Sequence, residues 1–495
     1  MATDTERDGR GVRLATSLGV QDAGRVLRDF ATYLPTQAVP ALAGFLVLPI
    51  LARRLFPTEL GVLAIGQTLA TLGWTVTASW LAAAIIRELP AHAAEADYLG
   101  FRRRLERGLA IVAVAFAVFA GIVVLASFVA KPIEENLPWI LWAAGGLVLE
   151  NLAVALFAAS LRTRAYAITE VLARVLGIGL GTALVFEGYN VAGYLIGLAA
   201  ASTALGAVGL AVGWPRRHDS PSPPTRPAIE PWLRYGVPAS SAAVAVWGLN
   251  FVDRYLLGAL ENAGAVGVYT IGNVVGDKAV SLPMYAFFAA ASPLLVTAFE
   301  RKGRDEVERL MRAYTRIVLL VGVPAIAFVA ATARDLIDLL TGRPVLYDDA
   351  VSVAPLIAVG SLLYALAGIG AIGLAIAKRT GPLVWSSGAG LVVNIVANLI
   401  LIPPFGILGS AIATPIGMAA YLGAAYFHAH HYARWSFPVT TLARAVAASL
   451  AAFAAARLVD SLFESNFADI VFAVIVGGAV YAGVLLALGE REASV

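Results

Sequence analysis

The chain has 495 residues, of which 59% are hydrophobic and only 14% are Asp, Glu, Lys or Arg, against about 25% charged in a soluble domain. So few charges exclude an ordinary soluble enzyme and point to lipid as the solvent, while the absence of cysteine excludes disulfides, thiolate metal sites and thiol chemistry. The formal charge of +3 and pI near 9.0 read first as membrane topology, so no nucleic-acid partner is expected.

Asp4, Glu6, Asp8 and Asp22 interrupt the start of the chain, so residues 1–27 are expected to form a polar cytoplasmic segment and not a secretory signal. A membrane span needs about 20 mostly apolar residues to cross about 30 Å of hydrocarbon. Fourteen stretches qualify: 31–52, 61–86, 109–130, 137–160, 168–186, 191–213, 236–259, 265–297, 315–333, 351–377, 382–403, 407–429, 440–458 and 469–488. The expectation is an all-α polytopic membrane protein. With both termini placed in the cytoplasm, the arginine clusters of the even loops, such as Arg102, Arg103, Arg104 and Arg107, fall inside. Arg53, Arg54, Lys131, Arg334, Arg343 and Arg457 are then the outer cations, as the positive-inside rule requires. The expected location is a cell membrane, plasma or inner.

A repeat divides the chain. GVLAIG at Gly61 to Gly66 returns as GVYTIG at Gly267 to Gly272, each after a span that begins near a proline, Pro35 or Pro238, and each before a basic segment. The second of these segments, from Glu300, puts Val307, Leu310, Met311 and Tyr314 on one helical face, and is expected to lie on the inner membrane surface. The Pro- and Ser-rich stretch Trp214 to Trp232 reads as a cytoplasmic linker. The expected organisation is a six-helix bundle over 28–213, a linker over 214–231, a second bundle in parallel orientation over 232–430, and two further helices over 431–495. The bundles should enclose a central cavity.

Ionisable groups inside spans are costly and usually face a partner or a wet cavity. Glu150, mid-span with no basic residue within a turn of it, is either a buried neutral carboxyl or an ion-coupling site. Glu170 and Arg174 have the spacing of a local ion pair. Trp247, Asn250 and Arg254 share one face of the seventh span, next to Asp253; they line a cavity for a sugar and a phosphate, or Arg254 snorkels to the headgroups with Asp253 as its partner. Asn273, Asp277 and Ser281 share a face of the eighth span beside Lys278, where Arg254 with Asp277, or Asp253 with Lys278, could pair across helices. Ser387, Asn394 and Asn398 form one polar stripe, suited to helix packing or to sugar hydroxyls. His428, His430 and His431 stand at a helix end, and Asp348 and Asp349 in an outer loop, where solvated side chains are expected. There is no nucleophile elbow, Walker loop or zinc-ligand spacing, so no catalytic residue, cofactor or metal is expected.

NLILIPPFGILGSAIAT, Asn398 to Thr414, resembles the signature between the eleventh and twelfth helices of oligosaccharide flippases in the multidrug, oligosaccharidyl-lipid and polysaccharide exporter superfamily, with Ser410 and Ala411 where that family usually has two alanines. VDRYLLGAL followed by GVYTIG, Val252 to Gly272, is similar to a second signature with an acidic-basic pair, and LARRLFPTELGVLAI, Leu51 to Ile65, to the first interhelical loop. The resemblance spans about residues 28 to 430. It implies bundles that alternate between inward-open and outward-open states and move a polyprenyl-linked oligosaccharide from the inner to the outer leaflet, with Asp253 and Arg254 at the cavity or its gate. Glycan-assembly enzymes would be natural partners. The lipid II branch carries arginines in its first helices, whereas none lies between Asp29 and Arg53 here. The rival readings are a multidrug cation antiporter, which would use an acid such as Glu150, and a membrane glycan polymerase or glycosyltransferase. The latter needs a large outer domain, whereas the longest outer loop here runs only from about Arg334 to Ala350.

Overall fold

A computed structural model of the chain describes residue 39 and residues 42–94, 98–128, 131–215, 228–376, 380–432, 434–460 and 467–490. The N-terminal segment 1–27, Pro35, most of the linker 214–231, Lys378, Arg379 and Arg491 lie outside them.

The described residues are helical almost throughout and include no strand. In lipid a backbone must satisfy its own polar groups, and a chain this rich in Leu, Ala, Val and Ile does so as helices. The elements are α1 (42–54), α2 (Pro57–Thr77), α3 (Ser79–Ala94), α4 (Tyr98–Ser127), α5 (Leu137–Ala159), α6 (Thr163–Leu184), α7 (Asn190–Gly213), α8 (Glu230–Leu260), α9 (Ala263–Lys302), α10 (Arg304–Thr341), the single turn α11 (Pro344–Tyr347), α12 (Ala350–Ile376), α13 (Thr380–Tyr432), α14 (Val439–Asp460) and α15 (Phe467–Ala487). Each expected span falls on helix over its described residues, which for the first are 39 and 42–52: the second is α2 with α3, and the eleventh and twelfth are the two arms of α13. Nine helices of the described residues are long and apolar enough to cross a membrane, and the chain is a multi-pass membrane protein. The polar helices α8 and α9 are not among the nine.

Prolines are the usual sites of helix kinks, yet α8 runs through Pro238 and α10 through Pro324. The non-helical points are Gly188, with φ 92°, between α6 and α7, and Gly406, with φ 54° and ψ −130°, within α13. Both conformations suit glycine, which has no Cβ to clash, and each joins the fifth and sixth spans of its half.

Two bundles result. In the first, α5 packs on α7 and α2, and α6 on α7; in the second, α12 packs on α13 and α9, and α8 on α13. The halves meet where α2 crosses α8 and α9, and where α3 crosses α8. The repeated glycines form the crossing: a Cβ on Gly61 would run into the Ala263 carbonyl, and a Cβ on Gly267 into the Pro57 carbonyl. Each contact is the other's image, since Pro57 precedes Gly61 as Ala263 precedes Gly267, by four residues. At the same end Arg53 donates to the carbonyls of Leu339 (2.7 Å) and Leu340 (3.3 Å), and Arg343 to that of Arg53 (2.7 Å).

Away from the glycines, the seam between α2, α3 and α8 carries polar rungs. Tyr255 pairs with Thr68 at 2.8 Å, Trp247 Nε1 donates to Thr71 Oγ1 at 3.2 Å, and Ser240 meets Ser79 at 2.6 Å and the Thr75 carbonyl at 3.1 Å.

The helix expected on the membrane surface is instead the opening of α10, continuous with the ninth span. Val307, Met311 and Tyr314 are buried in the core, because their apolar stripe faces the second bundle and not lipid headgroups. The two C-terminal helices pair with each other, and α10 packs on both. At one end Glu490 accepts from Arg316 (2.8 Å), Thr441 (2.9 Å) and Arg444 (2.7 Å).

Candidate functional site

The second bundle encloses a chamber of about 480 Å³ between α8, α9, α12 and α13. Asn250, Asp253 and Arg254 reach it from α8; Asn273, Asp277 and Lys278 reach it from α9. The spacings i, i+3, i+4 on α8 and i, i+4, i+5 on α9 turn both sets to one side of each helix.

Arg254 is held on several sides. Its Nη1 donates to the Asn250 carbonyl at 3.0 Å and lies 3.4 Å from Asp253 Oδ1, Nη2 donates to Asn273 Oδ1 at 2.9 Å, and the guanidinium stands 5.2 Å from the centre of the Phe251 ring. Asp253 also accepts a short hydrogen bond from Tyr269, whose hydroxyl pairs with Thr414 at 3.1 Å. This chain of polar atoms links α8, α9 and α13, with Asp253 and Arg254 almost wholly buried. Removing one member of such a pair would leave the other charged and uncompensated. Asp277 is more open. It accepts from Lys278 (2.8 Å), Ser281 (3.1 Å) and, on α12, Ser361 (2.9 Å).

Both alternatives raised for cross-helix pairing fail. Each base pairs with the acid beside it in sequence, Arg254 with Asp253 and Lys278 with Asp277, because Arg254 reaches across to the Asn273 amide and not to Asp277. Nor does Arg254 snorkel away, since it lines the chamber. Trp247 is turned out of the chamber: its indole packs on Phe251 and Tyr255 and bonds Thr71 in the seam. Asn394 and Asn398 serve helix packing. Both are buried, Asn398 donates to Asn394 and accepts from Ser410 at 2.9 Å, and neither lines the chamber.

Arg174 lies elsewhere. It lines a second chamber of about 320 Å³ in the first bundle, with Gly44, Val47, Leu48, Gln67, Thr71 and Tyr194 among its walls. Its partner is Glu150, at 3.5 Å, and not Glu170 as the i, i+4 spacing suggested. Tertiary packing thus supplies Glu150 with the cation that its own helix lacks, while its second carboxylate oxygen is buried without a hydrogen-bond partner. Val274 lines both chambers and stands between them.

Of the remaining polar groups, His428 meets Ser386 at 3.0 Å, His430 meets the Trp435 carbonyl at 3.0 Å, and Asp348 pairs with Arg334 at 2.8 Å. Among the described residues no group of three or more His, Asp or Glu is placed to hold a metal ion.

Sequence reasoning missed the aromatic and hydroxyl lining of the chamber in the second bundle, Tyr285, Ser361, Tyr364, Thr414 and Tyr421, and with it Tyr269, which donates to Asp253. One signal was present. Within the repeat, Tyr269 stands where the first copy has Leu63, a polar departure in an otherwise matching motif.

Comparisons with known proteins agree with this architecture. A family profile described as "Polysaccharide biosynthesis protein" matches residues 26–299, more than half of the chain, and one described as MatE matches residues 238–400. No curated protein matches the chain. Among solved structures, the chain is similar to the lipid II flippase MurJ in an inward closed conformation, with a TM-score of 0.71 at 14% identity over 91% of this chain and 98% of that one. It is also similar to an inward-facing multidrug resistance MATE family transporter, with a TM-score of 0.61 at 14% identity over 80% and 97%. The Vibrio cholerae MATE transporter VcmN gives a TM-score of 0.53 at 15% identity over 83% and 97%. At such identities the likeness is one of fold.

Proposed function

The chain belongs to the polysaccharide biosynthesis protein family, and on that premise we propose that it is a flippase for polyprenyl-linked oligosaccharide, working from the cytoplasmic to the outer leaflet by alternating access. The observation that supports the reading best is the chamber of the second bundle. Asn250, Arg254, Asn273, Asp277 and Lys278 converge on one cavity inside a bundle of membrane-spanning helices, where polar side chains are costly unless used.

In this reading the bundles are 28–213 and 232–430, joined by the linker 214–231, with 431–495 as an accessory pair. The termini lie in the cytoplasm of a cell whose plasma or inner membrane holds the protein, and glycan-assembly enzymes supply and consume the cargo. The Gly61 and Gly267 crossing, with Arg53 and Arg343 beside it, forms the outer gate. Opening that gate exchanges the glycine contacts and the arginine hydrogen bonds for water, while the polar rungs of the seam can re-pair with water at small net cost. The protein acts as a transporter and not as an enzyme.

One observation favours a second reading, the multidrug cation antiporter. Glu150 is a buried carboxylate with one unpartnered oxygen, a group suited to proton or cation coupling.

The deciding experiment uses reconstituted liposomes. The intact chain is expected to translocate a fluorescent polyprenyl-diphosphate glycan, and Arg254→Ala to lose at least tenfold in rate with insertion unchanged. Drug efflux without glycan translocation would replace the flippase with the antiporter.

A further inference from the structure

We propose that the chamber of the second bundle seats the sugars of the lipid-linked substrate against a tyrosine wall, and does not serve to capture its diphosphate. The inference rests on the flippase reading and assigns one moiety of the cargo to one chamber.

The charges argue first. Each cation is neutralised by its neighbour, Arg254 by Asp253 at 3.4 Å and Lys278 by Asp277 at 2.8 Å. The two pairs leave the chamber with no net charge, so its field does not concentrate a dianion as a basic cleft would. Recognition of a phosphate by arginine uses two parallel N–H groups, and Arg254 has already committed one N–H of each terminal nitrogen, to the Asn250 carbonyl and to the Asn273 side chain, which leaves fewer of its five donors for a phosphate.

What the chamber offers instead suits hydroxyl groups, which both donate and accept. Asp277 is an acceptor with 30% of its side chain exposed, Lys278 a donor with 24% exposed, and Ser281 and Ser361 add hydroxyls of their own. Aromatic rings line the same chamber. Tyr364 and Tyr421 lie 6.0 Å apart between ring centroids and are tilted by 41°, and Tyr285, 44% exposed, follows Lys278 on α9 with its ring centre 6.0 Å from the ammonium. A pyranose presents an apolar C–H face that packs on such rings while its edge of hydroxyls meets the polar set, so one ligand satisfies both kinds of lining.

The test is competitive binding to the intact, detergent-solubilised protein. The probes are undecaprenyl diphosphate and undecaprenyl-diphosphate-linked trisaccharides of neutral, acidic and N-acetylated composition. At least one trisaccharide probe is expected to bind ten times more tightly than undecaprenyl diphosphate. Tyr364→Leu and Tyr285→Leu should each bring that ratio to within twofold of one while leaving undecaprenyl diphosphate affinity unchanged. Tyr364→Phe, which keeps the ring, should retain the preference. The proposal is overturned if no trisaccharide is preferred, or if the leucine variants, unfolding at the same temperature as the intact chain, weaken the sugar-free probe equally. Sugar-dependent binding without translocation in liposomes would sink the flippase reading and leave the sugar site standing; translocation without sugar-dependent binding would do the reverse.

Discussion

Gly44, Val47 and Leu48 on α1 stand at the registers that Asn250, Asp253 and Arg254 occupy on α8, an offset of 206 residues given by Gly61 and Gly267 (267 less 61). Gln67 and Thr71 on α2 likewise stand opposite Asn273 and Asp277 on α9. Both sets line a chamber, one in each half. The backbone is repeated and the charges are not: the first copy has Gly44, Val47, Leu48, Gln67 and Thr71 where the other has Asn250, Asp253, Arg254, Asn273 and Asp277. The difference extends to how the buried charges are held. Glu150 relies on Arg174 from another helix, at 3.5 Å, whereas Asp277 has Lys278, Ser281 and Ser361. A repeated fold therefore constrains where a chamber forms, and each half decides separately what the chamber can bind.

The largest effect is expected at the crossing, where the halves should respond alike. Gly61→Val and Gly267→Val each force side-chain atoms into an opposing backbone carbonyl, which has no rotamer to yield. Each should cost about 3 kcal/mol, the upper end of overpacking penalties, and be read as lost folded yield and a lower midpoint of thermal unfolding. A large loss for one glycine and none for the other would end the claim of symmetry.

The next effect should separate the halves. Arg174→Ala leaves Glu150 buried without its cation, which costs about 3 to 5 kcal/mol for a fully buried pair. Because Arg174 is 30% exposed, about 2 kcal/mol is the better expectation once solvent screening is allowed for. Adding Glu150→Gln should recover most of it. Lys278→Ala, which leaves Asp277 two hydroxyl donors, should cost under about 1 kcal/mol. Equal losses on thermal unfolding would show that the two carboxylates are held alike.

The smallest effect concerns the pair α14 and α15, to which the first half has no counterpart. Burial would raise the Glu490 carboxyl, but hydrogen bonds from Arg444 and Thr441, with the charge and hydrogen bond of Arg316, outweigh it and hold the group below the ordinary value of 4.5. A depressed carboxyl stabilises the fold above its unfolded value and loses that contribution as pH falls through its folded one. Acidification below about 4.5 should therefore loosen the clasp between α10, α14 and α15, and Glu490→Gln should flatten that dependence. Hydrogen exchange of α15 against pH would measure both.

Much of this was legible in the residues. Apolar runs of span length placed the helices, and the GVLAIG and GVYTIG repeat located the crossing. The i, i+3 and i, i+4 spacings on α8 and α9 brought Asn250, Asp253, Arg254, Asn273, Asp277 and Lys278 to one chamber. The misjudged residues were those whose partners come from other helices. Trp247 shares a face with Asn250 and Arg254, yet Thr71 of α2 draws it into the seam. Arg174 lies one turn from Glu170, yet pairs with Glu150 on α5. Asn394 and Asn398 suited sugar or packing equally; both are buried away from the chamber, and Asn398 accepts from Ser410 on the other arm of α13. A proline is the usual signal of a helix break, but a helix can pass one by local adjustment, whereas the positive φ of Gly188 and Gly406 cannot be guessed from composition.

The sequence by itself determined the solvent, the helical class, the repeat and the helix faces on which polar groups gather, because each follows from local composition and from a period of 3.6 residues. The tertiary structure decided which face looks into a chamber, which carboxylate receives which cation, and which chamber is lined with tyrosines. Those outcomes depend on distances between helices far apart in the chain, and the spacing of residues along one helix carries no information about the neighbour it will meet.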